Sequence, residues 1–224
     1  MKKFFSLFMA TLIIIASLFT VSAENVVADK NAVLSALYES DISTIREAID
    51  LKIITCEELT AYYLERIEKY NAPYNCFITL CDDALEIAKQ RDAQLQKGEN
   101  DGLLFGIPVV VKDNIDIKGL YTTNGHTYEK SRVADNNATV VNYLLEQGAV
   151  IIGKTNMSTD AQDARISYSE IKGQTKNAYN TLLASGGSSG GTAVAVSLNF
   201  AVAGLGTDTN SSLRIPAVLN GCVS

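Results

Sequence analysis

The sequence predicts an α/β fold layered around a largely parallel sheet. Three short apolar runs, at residues 107–111, 149–152 and 200–205, are too brief for core helices and too uniformly apolar for half-exposed strands. Helical stretches at 138–147 and 192–198 separate them, and glycines stand at the junctions. Strands buried on both faces and joined through helices belong to parallel sheets.

The chain itself starts differently. Met1-Lys2-Lys3 is a positive opening, residues 4–19 are almost wholly apolar, and Val21-Ser22-Ala23 offers small residues at the −3 and −1 places of a cleavage site. Residues 1–23 are read as a signal peptide cut before Glu24, which makes residues 24–224 the mature domain and predicts a secreted, periplasmic or envelope protein. An uncleaved membrane anchor is the alternative, with an apolar run near the lower limit for spanning a bilayer. A cleaved signal leaves no stable membrane anchor.

A helical region follows. Thr44-x-x-Glu47 and Thr55-x-x-Glu58 both have the capping-box spacing, in which a threonine hydroxyl accepts an orphan N–H at a helix start. Leu59, Tyr63, Ile67 and Tyr70 recur at helical spacing and are expected to face the core. Residues 82–97 read as a surface helix stopped by Gly98, and 107–111 as a strand entered through Pro108. The 138–147 helix ends at Gly148 and leads into the 149–152 strand; the 192–198 helix leads into the 200–205 strand.

Composition narrows the chemistry. With 224 residues, 47% hydrophobic and a formal net charge of −6, the chain can bury a sizeable core but has no basic cluster beyond Lys2-Lys3 for nucleic acid. Cys56, Cys76, Cys81 and Cys222 match no zinc spacing; Cys76 and Cys81 can meet, but buried free thiols are the expectation. A single histidine, His126, rules out a His-rich metal centre and is read as a loop residue.

Two serine- and glycine-rich turns remain: Ser185-Gly186-Gly187-Ser188-Ser189-Gly190-Gly191-Thr192 and Gly206-Thr207-Asp208-Thr209-Asn210-Ser211-Ser212-Leu213-Arg214. Apolar segments flank the first at once, which speaks against a flexible linker. Its glycines permit close approach to the backbone, so its serines either present hydroxyls in a pocket or serve as turn and cap residues. No Lys-Ser/Thr follows the glycines, so the phosphate-loop spacing is not met. Lys112 ends the 107–111 strand, where open α/β sheets place their sites. It is either a surface lysine or a base whose ammonium form is disfavoured in a partly dry site.

Taken together, Gly106-Ile107-Pro108-Val109-Val110-Val111-Lys112-Asp113-Asn114, Gly148-Ala149-Val150-Ile151-Ile152-Gly153-Lys154-Thr155-Asn156-Met157, Gly173-Gln174-Thr175-Lys176-Asn177 and the two turns resemble the amidase signature family, from about residue 33 to the end. The resemblance implies an α/β/α sandwich around a mixed, largely parallel sheet. It further implies hydrolysis of a carbon–nitrogen amide bond through a Ser–Ser–Lys triad: Ser212 as nucleophile, Ser188 as bridging serine joined to Gly187 by a cis peptide bond, and Lys112 as base. Thr209, Asn210 and Ser211, with Ser212, would supply oxyanion N–H groups, and Gln162 would contact the acyl side of the pocket. Ser189, Thr207, Asp208 and Arg214 would brace the triad. The implied substrate is a small-molecule or peptide amide, with no cofactor and no metal.

The sequence departs from the family pattern in three places. Asn210 and Ser211 stand where glycines usually precede the nucleophile, and Ser185 and Ala178 where prolines are common. The chain also stops at Ser224, soon after the nucleophile block, so a missing C-terminal half or a partner chain is expected to complete it. Two further readings stay open: an inactive remnant, and the glutaminase subunit of a tRNA-dependent amidotransferase, which the N-terminal pattern opposes.

Overall fold

The computed structural model describes residues 30–37, 39–128 and 132–224, so the segment read as a signal peptide lies outside the described residues. Three helices open the fold: α1 (Lys30–Ala36), α2 (Ile42–Asp50) and α3 (Cys56–Tyr70). Strand β1 (Phe77–Leu80), helix α4 (Ala84–Lys97), strand β2 (Pro108–Lys112), helix α5 (Thr139–Glu146) and strand β3 (Val150–Thr155) follow. A hairpin of β4 (Tyr168–Ser169) and β5 (Gly173–Gln174) precedes α6 (Gly190–Ser197), β6 (Ala203–Leu205) and α7 (Arg214–Leu219). No helix among the described residues is long and apolar enough to cross a membrane.

The main sheet has the order β1-β3-β2-β6. Strand β2 lies parallel to both β3 and β6, and β1 is antiparallel to β3, so the sheet is mixed and largely parallel as expected. The antiparallel strand β1 has no counterpart in the sequence reading: Phe77–Leu80 is only four residues long and turns from buried to exposed along its length. Every residue of β2 and β3 is buried, which explains their unbroken apolar runs. The sheet extends past those runs, to Lys112 in β2 and through Gly153-Lys154-Thr155 in β3, because ladder bonds to neighbouring strands continue there.

Helix ends follow local chemistry. Thr55 Oγ1 accepts from Glu58 N at 3.0 Å while Glu58 Oε2 accepts from Thr55 N at 3.1 Å, a complete capping box. The other predicted box is not formed: α2 begins three residues earlier, and Asp41 Oδ1 accepts from Thr44 N at 2.8 Å. An aspartate already in extended backbone at the N-cap outcompetes a threonine inside the first turn. Gly98 closes α4 at φ 76°, the left-handed C-cap its position predicts. Leu59, Tyr63 and Ile67 are buried, but Tyr70 at the last turn of α3 is 43% exposed. There its ring faces the Arg66 guanidinium at 5.5 Å.

All four cysteines are free, and Cys56, Cys76 and Cys81 are buried. Cys76 and Cys81 flank the extended strand β1. Five extended residues span roughly 16 Å, beyond disulfide reach, so this pair does not meet.

We expect Thr55→Ala to cost about 1 kcal/mol in denaturant unfolding, and Thr44→Ala to stay within about 0.5 kcal/mol of the parent. Equal losses at the two positions would contradict this assignment of the caps.

Candidate active site

Period-two alternation along β2 divides its carboxyl end between two faces of the sheet. Val110, Lys112 and the register partner Thr155 share one face; Val111, Asp113 and the register partner Lys154 share the other. Helix α6 covers the first face, with Thr192 Oγ1 2.6 Å from Thr155 Oγ1. Strand and helix are thereby held so that Lys112 reaches the turn in front of α6.

There Lys112 Nζ donates to Ser188 Oγ at 2.6 Å and to Thr207 Oγ1 at 2.6 Å. Both Lys112 and Ser188 are fully buried. Burial disfavours the ammonium and brings the Lys112 pKa down from about 10.5 to about 8, with the Asp208 carboxylate acting in the opposite direction. Two hydroxyl oxygens as acceptors, rather than a carboxylate, leave the amine free to lose its proton at about pH 8.

The turn that carries Ser188 is built by close backbone approach. The Gly187–Ser188 peptide is cis. A Cβ at Gly187 would collide with the carbonyl oxygens of Asp163 and Ile166, so no other residue fits without moving the 163–166 backbone. Gly187 N donates to Ala164 O at 2.8 Å, while Ser188 O accepts from Ser158 N at 3.2 Å and Ser167 Oγ at 3.1 Å. Ser167 Oγ in turn accepts from Gly190 N at 2.8 Å, satisfying a donor at the start of α6.

The second turn joins through its main chain. Ser189 N donates to Ser212 O at 3.0 Å, and Ser189 Oγ bonds both Thr207 O and Thr207 N at 3.2 Å. Ser212 is buried beside this junction. Asp208 caps the turn before α7: its carboxylate accepts from Ser211 N at 2.8 Å, Leu213 N at 3.2 Å and Arg214 N at 3.1 Å, and pairs with the Arg214 guanidinium at 3.0 and 3.1 Å. The Arg214 guanidinium beside it, with these N–H donors, holds the Asp208 carboxyl well below the usual carboxylate range.

The structure thus brings Lys112, Ser188, Ser189, Thr207 and the backbone of Ser212 together, and places Asp208 and Arg214 as the brace of the Ser212 turn. Ser211 differs from its expected part: its N–H is engaged by Asp208 and its φ is 68°, the left-handed conformation that glycine adopts freely. Thr209 and Asn210 are exposed beside it. Gln162 is exposed on the segment that holds Ser188, and none of the hydrogen bonds described around Lys112 and Ser188 is its own.

Residues the sequence reading passed over matter too. On the opposite face Lys154, fully buried, donates to Tyr121 O at 2.7 Å and Thr122 Oγ1 at 2.8 Å, with Asp113 Oδ1 at 3.8 Å. Asp113 Oδ2 accepts from Thr123 Oγ1 at 2.7 Å and Thr123 N at 3.1 Å. Burial brings Lys154 down to about 8 as well, against the pull of Asp113. The signal was present, since both central strands run into a lysine one or two residues past their apolar stretch. Ser158 and Ser167 carried no such mark.

The family model described as amidase matches residues 58–223. This chain belongs to the amidase family. Among its relatives in the family, it is 39% identical over 188 residues to a glutamyl-tRNA(Gln) amidotransferase subunit from Thermoanaerobacter pseudethanolicus, covering 84% of this chain and 38% of that protein. The corresponding subunit from Cenarchaeum symbiosum is likewise 39% identical over 187 residues, with 84% and 38% covered. Among solved amidase structures, the peptide amidase from Stenotrophomonas maltophilia superposes with a TM-score of 0.77 at 34% identity, over 82% of this chain and 39% of that one. A fatty acid amide hydrolase gives 0.76 at 26% identity, over 82% and 32%. The chain spans less than two-fifths of the length of these amidase relatives.

Removing the buried Lys154 ammonium leaves Asp113 buried without its counter-charge. We expect Lys154→Met to destabilise the chain by about 3–5 kcal/mol in urea unfolding, and the Asp113→Asn/Lys154→Met double variant to recover most of it. A double variant no more stable than the single one would contradict the pairing.

Proposed function

We propose that this chain is the N-terminal part of an exported amidase that hydrolyses an amide to a carboxylic acid and ammonia or an amine. The observation that carries the reading is the buried Lys112 amine 2.6 Å from Ser188 Oγ, with a pKa brought down to about 8. Neutral Lys112 takes the proton of Ser188 as Ser188 takes that of Ser212, and Ser212 Oγ adds to the amide carbonyl. Main-chain N–H groups of the 209–212 turn receive the oxyanion; with the Ser211 donor engaged by Asp208, Thr209, Asn210 and Ser212 are the candidates. As the carbon–nitrogen bond breaks, the proton returns through Ser188 to the leaving nitrogen, leaving an acyl ester on Ser212. Water then attacks that ester, giving its proton to the same relay, and the acid departs as Ser212 is reprotonated.

The remainder of the domain, on the same polypeptide or on a partner chain, completes the substrate pocket in this reading. Strand β6 at the sheet edge and the exposed side chains of Tyr179, Leu182, Leu183, Val218 and Leu219 supply apolar surface for it. The substrate is a small-molecule or peptide amide. Export rests on the Met1-Lys2-Lys3 opening, the apolar 4–19 run and the Val21-Ser22-Ala23 cleavage pattern. A second reading, the glutaminase subunit of a tRNA-dependent amidotransferase, is favoured by the identity to those amidotransferase subunits and opposed by that same N-terminal pattern. Fractionation of cells separates the two: an exported amidase is found processed at Glu24 outside the cytoplasm.

Fluorophosphonate labelling tests the chemistry, on the chain alone and after the rest of the domain is added. Ser212→Ala should abolish labelling, and Lys112→Ala should slow it about 10²- to 10⁴-fold. Because the base works uncharged, the labelling rate should climb with pH and level off above about 8. Absence of labelling in both preparations would overturn the amidase in favour of an inactive remnant, and a rate indifferent to pH would remove Lys112 as the base.

A further inference from the structure

His126 is the single histidine of the chain and belongs to none of the contacts made by Lys112, Ser188 or Ser212. Its side chain is only 11% exposed and sits between two carboxylates on a neighbouring segment. Nε2 lies 2.8 Å from Asp160 Oδ1, and Nδ1 lies 3.3 Å from Glu170 Oε2. The Tyr128 ring packs against the imidazole with centroids 4.6 Å apart. Among the described residues, Asp160 and Glu170 are the charged groups acting on it, and both favour the imidazolium.

The junction around it is tight. Asp160 N donates to Asn124 O at 3.0 Å, Asn124 Nδ2 donates to Asp160 Oδ1 at 2.8 Å, and Glu170 N donates to Gly125 O at 2.9 Å. Asn124, Asp160 and Ala161 all have φ between 50° and 55°, a left-handed backbone that Asn and Asp adopt more readily than other residues and that Ala161 keeps only where its surroundings enforce it. From this junction the chain runs directly into the Ser188 contacts: Ser158 N and Ser167 Oγ on Ser188 O, and Ala164 O on Gly187 N.

We propose that His126 is a positioning residue: as an imidazolium bridging Asp160 and Glu170, it clamps the 158–167 segment against the Gly187–Ser188 peptide and so holds the bridging serine in register with Lys112. The sign follows from the partners. Two carboxylates raise the folded-state pKa of the imidazole above about 6.5, so the clamp is complete below that value and is released as pH rises through the raised one. Its consequence for amide hydrolysis rests on the function proposed above; the clamp itself does not.

The test uses the untagged full chain, in which one histidine gives one set of imidazole signals by NMR. The imidazole should titrate above about 6.5, and Asp160→Asn should lower its midpoint. Amide exchange across 158–167, corrected for intrinsic pH dependence, should step upward at the same midpoint, up to about tenfold for each unit of elevation. His126→Gln should lose the step. A titration at or below the ordinary histidine value, a midpoint unmoved in Asp160→Asn, or exchange without a step in the parent chain would each overturn the proposal. Should His126→Gln fail to fold, the parent titration and exchange decide alone. Fluorophosphonate labelling in parallel separates the readings: a step without labelling sinks the amidase and leaves the clamp, and labelling without a step does the reverse.

Discussion

An amine taken out of water and given only hydroxyl oxygens as company is the constraint on which this structure turns. Lys112 is fully buried, and its two hydrogen-bond partners, Ser188 and Thr207, are neutral. Such a group is tolerated in the interior because its pKa can fall, which is a cheaper response than burying an unpaired charge. Each surrounding element keeps that arrangement in place. Strand β2 delivers the lysine, α6 fixes the turn that carries Ser188, and the Ser189–Thr207 contacts hold the second turn within reach.

Lys154 gives the useful contrast. It sits one strand over, on the opposite face, and burial brings it to about 8 just as it does Lys112. Yet its acceptors are a carbonyl, a hydroxyl and a nearby carboxylate, and they tie the end of β3 to Tyr121, Thr122 and Asp113. A depressed pKa therefore does not by itself mark a base. The partners differ: Lys112 meets two hydroxyls, which in the function proposed above pass a proton onward, whereas Lys154 lies beside the Asp113 carboxylate, which favours the cation.

Much of this is legible in the residues. Uniformly apolar runs announce β2 and β3 because strands buried on both faces have no polar side, and Gly98 and the Thr55–Glu58 pair announce helix ends because caps depend on contacts a few positions apart. The Thr44 spacing misleads since Asp41, three residues earlier, competes for the start of the same helix. Strand β1 is hidden because four residues with a mixed burial pattern carry no periodic signal, and its partner β3 lies some seventy residues away. At the site, glycine and serine density marks the two turns. The hold of Ser158, Ala164 and Ser167 on the Gly187–Ser188 peptide is invisible, as those residues have ordinary side chains whose value comes only from where the chain folds back.

The buried thiols of Cys56, Cys76 and Cys81 stand apart from one another in the core. Burial pushes Cys81 up to about 12 and raises Cys56 and Cys76 as well, so in the native state hardly any of them is thiolate, the form that attacks electrophiles or another sulfur. While the core stays folded, Cys56, Cys76 and Cys81 are thus neither sealed by oxidants nor loosened by reductants. Those same sulfurs become reactive once the core opens, which makes alkylation of Cys56, Cys76 and Cys81 a built-in gauge of global unfolding.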